Sequence, residues 1–287
     1  MAKKRSLVGW AFLLPATLLI LGMSFYPMVR AFLLSFQTGV GANMRYAGIM
    51  NYQRILKDKV FLSTISNTFI YLIVQVPVML ILALIFATLL NDKTLKFKGV
   101  FRTAIFLPCA TSLVSYAIIF RSLFATNGFI NSVLMNLGIM QTNYNWLGNT
   151  NSAKFVIVIA LIWRWTGYNM VFYLAGLQNI DSSIYEAARI DGANAYQRLK
   201  SITIPLLRPM ILLTAIMSTN GTLQLFDESF NLTNGGPGNS TMTMSHYLFN
   251  TSFVNSPNFG YASALSFIIL LFVAILSFIQ TKAGDKR

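Results

Sequence analysis

The stretch SSIYEAARIDGANAYQRLKSITIPLLRP, Ser182–Pro209, is a polar and charged island between two long apolar runs. The whole chain has 55% hydrophobic and only 10% charged residues, with a mean hydropathy of +0.60. Soluble domains are about half apolar and about a quarter charged. The composition therefore predicts an integral membrane protein, in which this island forms a loop outside the hydrocarbon.

Six apolar segments are long enough, at about 20 residues each, to cross the hydrocarbon core as helices. Long continuous runs favour helices over outer-membrane strands, whose segments are short and alternate in polarity. We therefore expect an all-α membrane protein with six transmembrane helices, forming one domain over residues 1–287. The spans are expected at approximately Leu7–Met28, Thr64–Leu90, Ala104–Phe124, Phe155–Leu177, Met210–Phe226 and Ala262–Gln280.

The first span follows three basic residues, Lys3, Lys4 and Arg5, which is also how a secretory signal peptide begins. Its apolar run is longer than the core of a signal peptide, and no clear A-x-A cleavage site follows it. An uncleaved first helix is the favoured interpretation, and a cleaved signal is the alternative.

The net charge of +14 is distributed unevenly between the two sides of this six-span topology. Fourteen of the 22 Lys and Arg residues lie on the side of the termini and the island, whereas the loop Asp227–Tyr261 has none. These fourteen are Lys3, Lys4, Arg5, Lys93, Lys96, Lys98, Arg102, Arg189, Arg198, Lys200, Arg208, Lys282, Lys286 and Arg287. Because cytoplasmic loops are rich in Lys and Arg, both termini are predicted to be cytoplasmic.

The basic cluster NYQRILKDK, Asn51–Lys59, lies in the first outer loop and opposes this orientation without reversing it. Since the membrane topology accounts for most of the positive charge, the expected partner is the lipid membrane and no nucleic acid.

The island itself predicts two short helices joined by a turn. Ser183 and Glu186 are spaced as a capping box, and Gly192 can adopt the left-handed backbone that ends a helix. A second helix is expected over Asn194–Lys200, and Pro205 is expected to interrupt it before the next span. Helices this short are marginal alone in water, so the pair either docks on another protein or rests on the inner leaflet as an interfacial helix.

The spacing Glu186-Ala187-Ala188, three residues, Gly192, nine residues, Ile202, one residue, Ile204-Pro205 resembles a known motif. It is similar to the EAA loop of the permease subunits of binding-protein-dependent ABC importers, in which leucine is usual where this chain has Ile204. The stretches WRWTGYNMVFYLAGLQNI and FNLTNGGPGNSTMT are similar to the carbohydrate branch of that family. The similarity covers nearly the whole chain.

This resemblance implies a type I ABC importer permease that takes up a carbohydrate across the cell membrane. It implies that Glu186, Ala187, Ala188, Asp191 and Gly192 dock on a cytoplasmic ATPase dimer. The implied partners also include a second, homologous permease subunit, with the sugar passing between the two chains, and an extracellular solute-binding protein. The sequence contains no G-x-x-x-x-G-K-[ST] phosphate loop. ATP is therefore expected to be bound and hydrolysed by a partner, and this chain is expected to be a non-enzymatic subunit without a cofactor.

Arg164 lies within the fourth span, about ten residues after Lys154. A charge at the centre of a span costs about 2.5–3.5 kcal/mol on insertion scales, so Arg164 is predicted to line the substrate pathway or form a buried pair. Asp227 and Glu228 are candidate partners, although contacts at the outer surface are the favoured role for both. The alternative for Arg164 is a guanidinium that snorkels to the outer interface.

Four further residues are candidates for the pathway: Asn169 and Tyr173 on the fourth span, and Asn220 and Gln224 on the fifth. Each pair is spaced i, i+4 and so shares a helix face. Amide and aromatic groups suit sugars, and helix packing is the alternative. The only histidine, His246, is expected to be a polar surface group, and with a single cysteine no metal site is expected.

Two other classes of membrane protein compete with the importer subunit. An ion-coupled secondary transporter should carry carboxylates or broken helices near the midplane, whereas the acidic residues near the spans lie at their ends. A membrane enzyme needs a catalytic constellation, and the eight acidic residues, one cysteine and one histidine do not assemble one.

Overall fold

A computed structural model of the chain describes residues 2–39, 43–92, 94–254 and 256–284, with side chains from residue 9 onward. Lys93, Lys286 and Arg287, which contribute to the predicted orientation, lie outside the described residues. The chain divides into two compact units, each built from two segments. These are Met1–Lys59 with Leu248–Leu270, and Val60–Tyr247 with Leu271–Arg287.

The first unit contains a long N-terminal helix and a small structure formed by the loop that follows it. A π-turn over Leu21–Phe25 joins two helices without a break, so Gly9–Ser35 forms one candidate span. The elements are α1 (Ala2–Ile20), α2 (Tyr26–Ser35), β1 (Gln37–Thr38), β2 (Arg45–Tyr46), α3 (Met50–Lys57) and the beginning of α13 (Phe259–Gly284). The two strands pair antiparallel, with Gln37 opposite Tyr46.

Helix α3 is held to the rest of this unit by polar contacts. Asn51 Nδ2 donates to the carbonyl oxygens of Ser35 at 2.9 Å and Gln37 at 2.8 Å. The Arg54 guanidinium lies 4.3 Å from the centre of the Tyr261 ring, and the Tyr261 hydroxyl donates to Asp58 Oδ2 at 2.6 Å. Arg54 and Lys57 of the basic cluster therefore lie on a helix that side-chain contacts fix to the rest of the unit.

The second unit packs around α8, which is the most buried of the candidate spans. Its elements are α4 (Lys59–Asn91), α5 (Lys98–Ala110), α6 (Leu113–Leu123), α7 (Phe129–Asn136), α8 (Thr150–Gln178), α9 (Ser182–Ile190), α10 (Ala195–Arg198), α11 (Ile204–Leu223), α12 (Met244–Phe249) and the end of α13. Towards its N-terminus α8 packs Ile157 and Leu161 with Tyr71 of α4 and Tyr116 of α6. Gly167 allows α5 to approach closely, because a Cβ there would clash with the carbonyl oxygen of Ile105.

The predicted all-α membrane architecture is confirmed. Within the described residues, five single helices and one bent pair are long and apolar enough to cross a membrane. The single helices are Gly9–Ser35, Lys59–Asn91, Thr150–Gln178, Ala195–Leu223 and Phe259–Gly284.

The third span differs from its prediction as one helix over Ala104–Phe124. It is a bent pair, α5 and α6, that turns by 98° at Thr111–Ser112. Both linking residues are extended, with ψ of 150° and 138°. The Thr111 hydroxyl donates to the carbonyl of Pro108 at 2.7 Å and so ends α5. The proline thus lies beside a full break of the span.

The expectation that Pro205 interrupts the helix before the fifth span is wrong. The chain stays helical from Ala195 to Leu223, because a π-turn over Leu199–Thr203 lies immediately before the proline. Pro205 occupies the first turn of α11, where the missing amide proton and the fixed φ of proline are tolerated.

Candidate functional site

A cavity of about 400 Å³ lies in the second unit, bordered by α4, α6, α8, α11 and the segment that follows α11. Its lining combines neutral polar groups, aromatic rings and three charged residues. The neutral polar residues are Gln75, Asn169, Ser218, Thr222 and Gln224, and the aromatic residues are Trp165, Tyr168 and Phe226. The charged residues are Arg164, Asp227 and Glu228.

The structure brings three of the five predicted pathway residues to this cavity, namely Arg164, Asn169 and Gln224. The other two lie outside its lining and connect helices. The Tyr173 hydroxyl is 2.8 Å from Thr214 Oγ1, which joins α8 to α11. Asn220 Oδ1 accepts a hydrogen bond from Ser277 Oγ of α13 at 3.0 Å. The pathway role of Tyr173 and Asn220 stays a prediction.

Arg164 is buried, with 5% of its surface exposed, so it does not snorkel to an interface. Its guanidinium reaches the C-terminal end of α5, where Nη1 and Nη2 donate long hydrogen bonds to the carbonyls of Pro108 and Cys109, at 3.4 and 3.5 Å. A cation at a helix C-terminus is favoured by the helix dipole. The break after α5 frees these carbonyls, so the bend and the buried arginine depend on each other.

Aromatic rings hold the same guanidinium. Its central carbon lies 4.9 Å from the ring centre of Tyr116 and 5.5 Å from that of Trp165, within the range of cation–π interactions. Arg164 Nη1 also lies 3.5 Å from Thr111 Oγ1, and within the described residues Arg164 forms no direct ion pair with Asp227 or Glu228.

Glu228 lies at the cavity with 3% of its surface exposed, which is unusual for a carboxyl group. This position contradicts the outer-surface role expected for it. Burial raises the pKa of Glu228, and the neighbouring charge of Asp227 also raises it, whereas the positive charge of Arg164 opposes the shift. The two acids and Arg164 therefore form one electrostatic group beside the cavity.

Two cavity residues, Gln75 and Thr222, were not identified from the sequence. Thr222 Oγ1 donates to Gln75 Oε1 at 3.1 Å, which ties α11 to α4. The available signal was Gln75 itself, an uncharged polar residue two positions before Pro77 in an otherwise apolar span.

His246 is fully buried, so the expectation of a polar surface group is wrong. Its Nδ1 lies 2.8 Å from Ser229 Oγ, and its ring meets those of Phe226 and Phe230 edge to face. Burial lowers the pKa of His246, which favours the neutral imidazole.

The loop Thr233–Ser240 forms a series of turns. Asn234, Gly235, Gly238 and Asn239 all have positive φ, the conformation that glycine and asparagine tolerate best.

The island folds as α9, a turn and α10, as predicted. The left-handed φ of +79° at Gly192 confirms the expected helix end. Of the residues that the resemblance assigns to ATPase docking, Glu186, Ala187, Asp191 and Gly192 are exposed and Ala188 is half-buried.

The predicted capping box of Ser183 and Glu186 is wrong in its position. Asp181 caps α9, because its Oδ1 accepts from the Ser183 amide at 3.0 Å. This bond lowers the pKa of the Asp181 carboxyl. The helix therefore starts at Ser182, and the capping box belongs to α10, where Asn194 and Gln197 exchange hydrogen bonds of 2.8 and 2.9 Å.

The exposed face of the island is partly apolar. Ile190 is 87% exposed and Tyr196 is 68% exposed. Charged and small residues, Glu186, Asp191 and Ala187, accompany them. Exposed apolar groups rimmed by charge are typical of surfaces that bind another protein.

Residues 47–284 match the family described as "Binding-protein-dependent transport system inner membrane component". The chain belongs to this family. This membership confirms the family that the EAA spacing resembled. It supports the interpretation as an importer subunit and gives no support to the ion-coupled transporter or the membrane enzyme.

Named relatives of this inner membrane component match along almost their whole length. The chain is 50% identical over 281 residues to the lactose transport system permease protein LacF of Rhizobium radiobacter, covering 97% of this chain and 94% of the relative. It is 34% identical over 291 residues to the arabinooligosaccharides transport system permease protein AraP of Halalkalibacterium halodurans, covering 98% and 91%.

Its fold is similar to a chain in the crystal structure of a bacterial ABC transporter involved in the import of the acidic polysaccharide alginate. The TM-score is 0.87 at 20% identity, over 99% of this chain and 96% of that chain. This likeness confirms the type I ABC importer permease fold.

Proposed function

We propose that this inner membrane component is a permease subunit that imports a carbohydrate, with an oligosaccharide as the substrate class. The observation that carries the proposal is the 50% identity to a lactose permease protein over nearly the full length of both chains. A second relative named for arabinooligosaccharides supports the same class.

The cavity is the proposed part of the translocation pathway within this chain. Sugars present apolar ring faces and hydroxyl groups that need directed hydrogen bonds, and the cavity offers groups suited to both. Trp165 and Tyr168 supply aromatic surface, while Asn169 and Gln224 supply amides. A second, homologous permease subunit forms the other half of the pathway in this proposal.

The island is the proposed coupling element. Its exposed residues Glu186, Ala187, Asp191 and Gly192, with the partly covered Ala188, dock on a cytoplasmic ATPase dimer that binds and hydrolyses ATP. An ATPase can shift a permease between two states only through contacts that differ in those states. A capped helix that continues through a turn into the long helix Ala195–Leu223 suits such a role.

The proposed setting is the plasma membrane, with both termini in the cytoplasm and an extracellular solute-binding protein delivering the sugar. The distribution of basic residues supports this orientation.

Uptake in the native cells tests the substrate class, with radiolabelled lactose as the first probe. Deleting the chain should abolish uptake of the oligosaccharide and spare uptake of an unrelated amino acid. Uptake that persists after ATP depletion and stops when an ionophore collapses the ion gradient would overturn the importer proposal.

Co-purification tests the assembly. The tagged chain, extracted in mild detergent, should retain a second permease and an ATPase with a phosphate-binding loop.

Ile190→Asp places a charge on the most exposed apolar residue of α9 and should release the ATPase, because a hot-spot residue of an interface contributes about 2 kcal/mol or more. Ile139→Asp, at another exposed isoleucine outside the island, is the matched control and should retain it. Equal ATPase recovery with both variants would contradict the docking role.

A further inference from the structure

The basic cluster that follows the first span has no part in the proposed function. Residues 36–59 include four basic residues, Arg45, Arg54, Lys57 and Lys59, and a single acidic residue, Asp58. An excess of Lys and Arg is normally found in cytoplasmic loops. Because the predicted topology places this cluster on the opposite side, its positive charge indicates a role other than setting the orientation of the chain.

Helix α3, which carries part of the cluster, is attached to the ends of two membrane spans. Near its beginning, Asn51 Nδ2 donates to the carbonyl of Ser35, the last residue of the first span, at 2.9 Å, and the Tyr52 hydroxyl donates to Ser35 Oγ at 2.8 Å. At its end, the capping residue Asp58 accepts from the hydroxyl of Tyr261, in the first turn of α13, at 2.6 Å. Since both ends of α3 are bonded where a span ends, α3 lies along the membrane surface.

The exposed side of α3 is amphipathic. The helix packs on its unit through the buried Ile55. Ile49 and Leu56, spaced i, i+7, lie on one flank of the exposed side and are 61% and 74% exposed. Arg54 and Lys57, spaced i, i+3, lie on the other flank and are also exposed. An apolar flank beside a basic one is typical of a helix that inserts shallowly among lipid headgroups.

The first span offers lipid a continuous path to α3. Among the described residues, no side chain in the most apolar part of Gly9–Ser35 is buried. In the last turns of this span Val29, Phe32 and Leu33 are each about half exposed, and the exposed Arg30 adds a further positive charge. A phospholipid whose tails contact these apolar side chains therefore has its phosphate at the level of α3.

We propose that the exposed side of α3, with Arg45 of β2, binds an anionic phospholipid. Arg45, Arg54 and Lys57 contact the phosphate, which guanidinium and ammonium groups bind through charge-assisted hydrogen bonds. Ile49 and Leu56 lie among the upper carbons of the tails. The apolar flank and the attachment to two span ends favour a lipid over an acidic protein surface, and the excess of positive charge favours an anionic lipid over a zwitterionic one.

The test uses the purified transporter, with its co-purified subunits, in lipid nanodiscs. Amide hydrogen exchange over Met50–Lys57 is compared between discs of phosphatidylcholine and discs that contain equal parts of phosphatidylcholine and phosphatidylglycerol. In the wild type, exchange should be slower in the anionic discs, because a ligand that binds the folded helix stabilises it. Inorganic phosphate added to the phosphatidylcholine discs should not slow exchange, since it lacks the tails that the apolar flank contacts.

A double variant removes charge from the surface without touching its buried contacts. In Arg45→Gln/Lys57→Gln, lipid affinity should fall about fivefold for each charge removed, so the difference between the two kinds of disc should largely disappear. The matched control is Arg121→Gln/Lys154→Gln, which removes two basic residues at helix ends on the same predicted side, and it should keep the difference. Leu56→Gln retains every charge and should speed exchange in the anionic discs.

Three results would overturn the lipid surface. The first is equal exchange of the wild type in the two kinds of disc. The second is an equal loss of protection in the two double variants, which would show a general effect of charge. The third is protection that appears only when a solute-binding protein is added and does not depend on phosphatidylglycerol, which would assign the surface to a protein partner. Since no sugar is used, the result does not depend on the proposed substrate.

Discussion

The island Ser182–Pro209 and the cavity both contain charged groups, and the protein accommodates these charges in opposite ways. In the island the charges face solvent, and local bonds such as those of Asp181 and Asn194 fix the helix ends. At the cavity Arg164 and Glu228 are buried, and their contacts come from elements far apart in the chain. The comparison teaches that local sequence can build an exposed charged element, whereas a buried polar site depends on the packing of several helices.

The largest expected effect tests whether helix packing controls the cavity. Gly167→Ala places a Cβ against the carbonyl oxygen of Ile105, a backbone atom that cannot move aside, and should destabilise the chain by roughly 1–3 kcal/mol. Thermal denaturation in detergent measures it. The control is Gly99→Ala on α5, where a Cβ meets nothing within 4 Å and the helix should gain slightly. Equal melting temperatures for the two variants would show that the close approach of α5 and α8 is unimportant.

The next effect concerns the link between Arg164 and the bend of the third span. Arg164→Met removes the guanidinium donor to the Cys109 carbonyl and leaves Pro108 with its bond from Thr111, which should cost about 1–3 kcal/mol. Cys109 is the only cysteine in the chain, so its rate of reaction with a maleimide reports opening of this break. The rate should rise in Arg164→Met and stay unchanged in the control Arg121→Met on the exposed face of α6. An unaltered Cys109 rate in both would separate the arginine from the bend.

A smaller effect is expected in the island, where the bonds are local. Asn194→Ala removes the capping box of α10 and should cost about 1 kcal/mol of local helix stability, seen as faster amide hydrogen exchange over the first turn. Ser183→Ala is the control, because Asp181 and not Ser183 caps α9. Faster exchange in the control alone would restore the capping box inferred from the sequence.

The smallest effect is the pH dependence contributed by His246. Because burial lowers its pKa in the folded chain, the unfolded chain takes up a proton first as the pH falls below 6.5, the ordinary value for imidazole. Stability should therefore decrease on acidification, by at most about 1.4 kcal/mol per pH unit. Glu228 acts in the opposite direction, since its raised pKa favours protonation of the folded chain. Between neutral pH and pH 6, the melting temperature of His246→Gln should fall less than that of the wild type. An identical pH profile would show that the histidine is already solvated.

The sequence was sufficient for features that depend on composition and short-range spacing. The apolar runs predicted the membrane helices because crossing hydrocarbon requires about 20 apolar residues in a row. The EAA spacing predicted the island, and Gly192 predicted the end of its first helix. The capping residue was misplaced by two positions, because Asp, Ser and Asn are all good caps and spacing alone does not choose among them.

Features that depend on contacts between distant helices could not be predicted from the sequence. The third span was predicted as one helix over Ala104–Phe124, and only the tertiary structure shows the break, with Thr111 bonded to Pro108 and Arg164 at the end of α5. Tyr173 and Asn220 were predicted for the pathway on their chemistry, and only the tertiary structure shows that they bond Thr214 and Ser277 of other helices. His246 was expected at the surface, and its burial depends on the packing of Phe226 and Phe230.

The sequence by itself determined that this chain is a helical membrane protein with a polar, basic island between two apolar runs. Hydropathy and charge can be read residue by residue along the chain. The tertiary structure alone decided which polar residues share the cavity. A buried Arg164 and Glu228 are tolerable only where several helices supply carbonyls, rings and neighbouring charges, and that arrangement exists only once the helices are packed.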